Sequence, residues 1–207
     1  MTTTLIEQQF VLDTYANIAK EFSNTRYHVW NFVKEFLKNK QHLYGLDIGC
    51  GNGKNMIHDK MMGVDSNEYF VALCEQNNKD VVLADCCNLP FDDKTFDYCI
   101  CISVIHHLST EERRALSIFE MIRVLKQGGY GILNIWSQEY QEKRRFVNGD
   151  NYVEWKSRDT DKQPLLRYYH IMNHDMFVNM LNQFNQYLHI LDIKNEKGNW
   201  VVTFVKK

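Results

Sequence analysis

Residues 46–55 read LDIGCGNGKN, with glycines at 49, 51 and 53 behind a short apolar run. Glycines at alternating positions let a chain turn tightly and let a ligand lie against the main chain. If a helix opens behind them, its N-terminus favours a negative group. A helix is expected to start there. The dinucleotide fingerprint G-x-G-x-x-G is the obvious competitor. Counted from Gly49 it needs glycine at position 54, where Lys54 stands, so the fingerprint fails.

The rest of the chain places that turn in a fold. Short apolar runs at 43–48, 61–65, 80–85, 96–103 and 129–136 alternate with helix-like stretches, the pattern of a parallel sheet covered on both faces. Residues 7–22 and about 27–39 have helical spacing. STEERRALSIFEMIRVLKQGG opens with the Ser/Thr-x-x-Glu pattern of a capping box and closes on glycines. The tail, HILDIKNEKGNWVVTFVKK, reads as an antiparallel hairpin around NEKGN. Together these predict one α/β domain over 1–207, with a helical lid over about residues 1–40.

Two acids extend the reading of the glycine turn. Asp65 ends the second apolar run, 18 residues after Asp47, where it is placed to accept from ribose hydroxyls. Asp85 ends the third, within reach of an adenine amino group. Neighbouring carboxylates suit a ligand carrying positive charge and no phosphate, a description that S-adenosylmethionine (AdoMet) meets.

Composition narrows the class. The six cysteines form no C-x-x-C pair and read as free thiols of a reduced core rather than a disulfide framework or zinc knuckle. The formal net charge of −2 argues against a generic nucleic-acid coat, and residues 137–170 hold seven Lys or Arg against six Asp or Glu. EKRR at 142–145 reads as a solvated face. There is no 18-residue apolar run and no basic, apolar signal-peptide start, so a membrane is not expected as a partner and an intracellular protein is.

LDIGCGNG, GVDSN, LADCCNLPF, FDYCICISVIHH and RVLKQGGYGILNIW resemble, in order and spacing, the motifs of class I AdoMet-dependent methyltransferases. That resemblance implies a Rossmann-like sheet of seven strands, mostly parallel with the last antiparallel, and AdoMet as cofactor. Its cofactor-binding residues would be Tyr15, Asp47, Gly49, Gly51, Asp65, Ser66, Asp85, Cys86 and Ser103. YANIAKEFSNTRYHVW, VIHHLSTEERR, LLRYYHIM and GNWVV are further similar to one eukaryotic family, the tRNA wobble 5-carboxymethyluridine methyltransferases, which includes the methyltransferase domain fused to an AlkB-type oxygenase in animals. Residues 137–166 depart from it.

The family implies methyl transfer to a carboxylate, tRNA as substrate, no DNA, and a heterodimer with a small zinc-binding activator subunit, and the protein is expected in the cytoplasm and also in the nucleus. Arg26, His106, His107 and Arg167 are candidates to hold the carboxylate. Tyr27, Tyr168 and Trp200 are candidates to stack on an extruded base, with Asn199 beside them. Read as adjacent residues at a strand end, His106 and His107 point to opposite faces, and no further ligand is spaced to complete a metal site. A small-molecule methyltransferase of the same fold, or a regulatory subunit that binds the cofactor without chemistry, are the competing readings. Intact glycines with both Asp65 and Asp85 stand against the second.

Overall fold

The computed structural model describes residues 2–139, 145–157 and 163–207. Seven strands form one sheet: β1 (Gly45–Ile48), β2 (Met61–Asp65), β3 (Val81–Leu83), β4 (Phe96–Ile102), β5 (Leu125–Trp136), β8 (Leu188–Asn195) and β9 (Asn199–Lys206). Their order is β3-β2-β1-β4-β5-β9-β8. The first five run parallel, and β9 is antiparallel to both β5 and β8. This is the seven-stranded class I methyltransferase architecture that the motifs imply.

Both faces are covered, so β4 (FDYCICI) is apolar almost throughout. Tyr98, Ile100 and Ile102 pack with Phe32, Val33 and Leu37 of α3 (Asn31–Leu37) on one side. Cys101 and Leu133 pack on the other with Ile118, Met121 and Ile122 of α5 (Glu111–Val124) and Phe177 of α6 (His174–Asn182). All six cysteines are free, and five are buried. Among the described residues no helix is long and apolar enough to cross a membrane.

Several boundaries differ from those the sequence predicts. No helix opens behind the glycine turn: residues 49–60 are successive turns, with Gly53 N–H donating to Cys50 and Met56 N–H to Gly53. Twelve residues holding three glycines and two asparagines leave little room for a helix between two strands. The cap of α5 is Thr110, whose hydroxyl accepts from Arg113 N–H, while Ser109 is engaged by Glu7. That helix stops at Val124, and Gly128 and Gly129 lie inside β5 instead of ending the helix.

The N-terminal helix is longer than 7–22. It runs as α1 (Leu5–Glu7), a π-helical turn (Gln8–Leu12) and α2 (Asp13–Thr25). Between α2 and α3, residues 26–30 are not helical. Between β2 and β3 lies α4 (Glu68–Gln76). A second sheet, absent from the sequence reading, pairs β6 (Gly149–Trp155) with β7 (Leu165–Ile171). Of the EKRR run, 142–144 lie outside the described residues.

Candidate active site

The C-terminal ends of β1, β2 and β4 open onto a cavity of about 810 Å³, towards the upper end of the range for ligand sites. Gly49 and Gly51 form its floor with φ of 69° and 54°. A Cβ on Gly49 would strike Val104 at 2.3 Å, whereas one on Gly51 would meet nothing within 4 Å. The main chain at Gly51 therefore borders open space, a cradle into which a ligand fits.

Asp65 closes this turn. Its carboxylate accepts Gly51 N–H at 2.8 Å and Asn67 N–H at 2.9 Å. Burial outweighs those bonds and pushes its pKa up to about 6. At Asp85, burial would raise the pKa, but Cys87 N–H at 2.8 Å and the Arg113 guanidinium at 2.8 Å hold the carboxyl below its ordinary range. Arg113 also grips Glu7 at 2.7 Å, and Glu7 in turn accepts from Ser109. One buried arginine thus ties the N-terminal helix to the acid at the cavity edge.

Ser66, Cys86, Ser103 and Tyr15 line the same space. Ser103 takes a left-handed φ of 63°, held by Asn134, which accepts its N–H at 3.0 Å and donates to Asn199. Asp47 does not reach the cavity. It is fully buried beneath the turn with neither oxygen paired, and burial together with Asp65 raises its pKa well above normal.

His106 and His107 lie in a one-turn 3-10 helix, Ile105–His107, and not at a strand end. The turn keeps both rings on the cavity side, 4.6 Å apart, rather than on opposite faces. Trp136 N–H donates to His106 Nδ1 at 3.1 Å. The proton of a neutral ring therefore sits on Nε2, which is buried without a partner. His107 Nδ1 lies 2.8 Å from the Tyr168 carbonyl and Nε2 lies 3.2 Å from the Tyr15 hydroxyl, so this ring orients Tyr15. Burial lowers both pKa values, His107 to about 4, and Arg167 pushes in the same direction. Both rings are neutral at pH 7.

Arg167, on β7, borders the cavity at 4 % exposure. It donates to the Tyr169 hydroxyl at 2.9 Å and lies over the rings of Trp155 and Tyr169, while its Nε is unpaired. Among the described residues it has no carboxylate partner.

The stacking candidates fall elsewhere. Adjacent strand residues face opposite sides, so Tyr168 turns away from Arg167, fully buried, and its hydroxyl donates to Asp150 at 2.6 Å. Trp200 likewise turns away from Asn199, which lines the cavity, and its indole donates to Glu139. Tyr27 points to solvent at 67 % exposure while Arg26 borders the cavity. Tyr169 and Trp136 line the cavity as a stacked pair, 4.2 Å apart, alongside Tyr15, Phe22, Trp30 and Phe70. Arg113, Asn134 and Trp136 lie within the motifs STEERR and GILNIW, but nothing in those motifs singles them out as site residues, and Glu7 lies in no motif. Tyr169 was legible as the residue sharing a face with Arg167.

A parallel sheet ending in one antiparallel strand, with a glycine turn and acids at successive strand ends around one cavity, defines a class I AdoMet-dependent methyltransferase. Residues 46–133 match the methyltransferase-domain family. The fold is shared with an S-adenosylmethionine-dependent methyltransferase from Clostridium acetobutylicum, with TM-score 0.65 and 17 % identity over 94 % of this chain and 98 % of that one. It is also shared with the complex between the Haloferax volcanii Trm112 methyltransferase activator and a methyltransferase, with TM-score 0.67 and 14 % identity over 97 % and 96 %.

The tRNA (carboxymethyluridine(34)-5-O)-methyltransferase of Schizosaccharomyces pombe is 33 % identical over 192 residues, 89 % of this chain and 83 % of that protein. The like-named alkbh8 of Xenopus tropicalis is 37 % identical over 144 residues, 67 % of this chain and 23 % of that protein. The chain thus spans about a quarter of the animal relative. It belongs to the family of the tRNA (carboxymethyluridine(34)-5-O)-methyltransferases.

Proposed function

We propose that the protein methylates the carboxylate of 5-carboxymethyluridine at the tRNA wobble position. The observation that carries this reading is Arg167, a buried cation beside the cavity with no carboxylate partner among the described residues, on a cavity that His106 also lines with an unpaired Nε2–H. An unpaired buried charge is costly and calls for an anionic ligand. Gly49, Gly51, Asp65, Ser66, Asp85, Cys86 and Ser103 would hold AdoMet, with Tyr15 above it. When bound, AdoMet supplies an electrophilic methyl group on a sulfonium.

The chain's task is then alignment. A carboxylate with a pKa of about 4 is already ionised at pH 7, so no general base is needed. That suits two histidines held neutral. Arg167 and His106 Nε2–H hold the carboxylate, His107 holds Tyr15, and Arg26 stands at the cavity rim. Holding two reactants in line is worth up to roughly 7–11 kcal/mol in well-oriented systems. The helical segment over residues 5–25 acts as a lid, with Val11, Leu12 and Phe22 lining the cavity to exclude water. A small zinc-binding activator subunit completes the active heterodimer, in keeping with the family and with the activator-bound neighbour.

The test is incubation of the protein, with and without activator, with labelled AdoMet and carboxymethylated tRNA. Base-labile label in the RNA is expected. Label that enters only small carboxylic acids overturns the reading.

A further inference from the structure

A second hollow, of about 550 Å³, lies beside the β6–β7 hairpin and shares Arg26 and Arg167 with the main cavity. The register places Val153 opposite Arg167 and Asn151 opposite Tyr169, so one face of the hairpin serves both spaces. The other face is engaged with the N-terminal helix, Tyr152 meeting Phe10 at 4.9 Å.

Four cations line the hollow, Arg26, Arg145, Lys156 and Arg167, against one acid, Glu154. In a chain of net charge −2 this is a local reversal of sign. Arg145 and Lys156 are exposed, and neither pairs with a carboxylate among the described residues. The buried, unpaired Nε of Arg167 independently marks the boundary of the two spaces as an anion site. Phe146 at the hollow stacks on Trp136 (5.7 Å, 28°), which stacks on Tyr169 in the cavity (4.2 Å, 10°). Aromatic faces beside cations are the means by which proteins hold single-stranded nucleic acid without reading its sequence.

We propose that this hollow binds the phosphodiester backbone of the RNA strand next to the target nucleotide, with Arg145 and Lys156 on phosphates and Arg167 at the junction where the base enters the cavity. This deepens the proposed function and rests on its reading of the substrate as RNA. It also gives a role to a segment that departs from the family's sequence.

The experiment titrates a labelled anticodon stem–loop RNA into the full chain with S-adenosylhomocysteine present, over a series of salt concentrations. Arg145→Gln combined with Lys156→Gln is expected to weaken RNA binding at least tenfold at low salt. The slope of log affinity against log salt should flatten by about 1.4, since each single-strand phosphate contact contributes about 0.7. Unchanged S-adenosylhomocysteine affinity confirms that the variant is folded. A remote pair, Lys126→Gln with Lys194→Gln, should leave the slope as it was. Wild-type affinity and slope in the first pair, an equal loss in the second, or no salt-dependent RNA binding by the unaltered chain each overturns the proposal. RNA binding through the hollow without methylation of carboxymethyluridine would instead sink the wobble reading and leave this site standing.

Discussion

In the proposed function Asp65 is the residue expected to give cofactor binding its pH dependence. Its pKa in the folded protein is about 6, above the ordinary 3.8, because burial disfavours the charge. A raised folded pKa means the folded state takes up a proton as pH falls through 6, and the ionised form proposed to accept from ligand hydroxyls is lost there. S-adenosylhomocysteine should therefore bind about tenfold more weakly at pH 5 than at pH 7.5, as read by calorimetry. Asp65→Asn should bind about 1.5–3 kcal/mol more weakly at neutral pH, with that pH dependence gone. The proposed function puts His106 at the carboxylate end. His106→Ala should cost tenfold or more in turnover, roughly 1.4 kcal/mol, with S-adenosylhomocysteine affinity within twofold of wild type. Both histidines are neutral well below pH 6.5, so no rate change centred on that pH should come from either. A bell-shaped profile titrating near 6.5 that disappears in His106→Ala would assign it to proton transfer instead.

Secondary elements explain which site residues were legible. The glycine turn, Asp65 and Asp85 were, because glycines and acids at strand ends carry their own signal. The adjacent pairs were not resolved by proximity alone. Arg167–Tyr168 and Asn199–Trp200 sit on strands, whose period of two sends one member of each to the cavity and the other away. His106–His107 sit in a tight turn, which keeps both on one side. The β6–β7 sheet escaped notice because β6, GDNYVEW, is half polar and exposed at alternate positions, with few β-branched residues. Glu7 and Arg113 lie 106 positions apart, and no local pattern announces their ion pair. The alternation on β7 makes a paired prediction. Tyr168→Phe loses the hydroxyl's bond to Asp150 and should cost about 1 kcal/mol in denaturant unfolding, with turnover within twofold of wild type. Arg167→Met removes a buried charge that has no carboxylate partner among the described residues, so it should not lower the melting temperature, while turnover falls a hundredfold or more. An Arg167→Met variant that is stable and keeps full turnover would remove the anion site from β7.

At the scale of the whole molecule the two sheet edges are unequal. β8, at one end, carries His189, Asp192 and Lys194 and a register shift between Ile190 and Asp192, the features with which exposed edges resist pairing. β3, at the other, is three residues long, Val81–Leu83, pairs only with β2 among the described residues, and leaves Leu83 48 % exposed with no charge in the strand. Short as it is, this edge carries an exposed leucine and no charge to repel a partner, and the activator subunit proposed above is the partner expected to cover it. Binding the native state stabilises it by about 2.7 kcal/mol when the partner is present at a hundred times its Kd. Co-expression with the activator should therefore raise the melting temperature by several degrees and suppress the self-association of the isolated chain in light scattering. Leu83→Lys should reduce that self-association on its own, because a charge at the edge opposes pairing, and should also weaken capture of the activator. A purified chain that is monodisperse, as stable alone as with the activator, and fully active on carboxymethylated tRNA would show that this edge needs no cover.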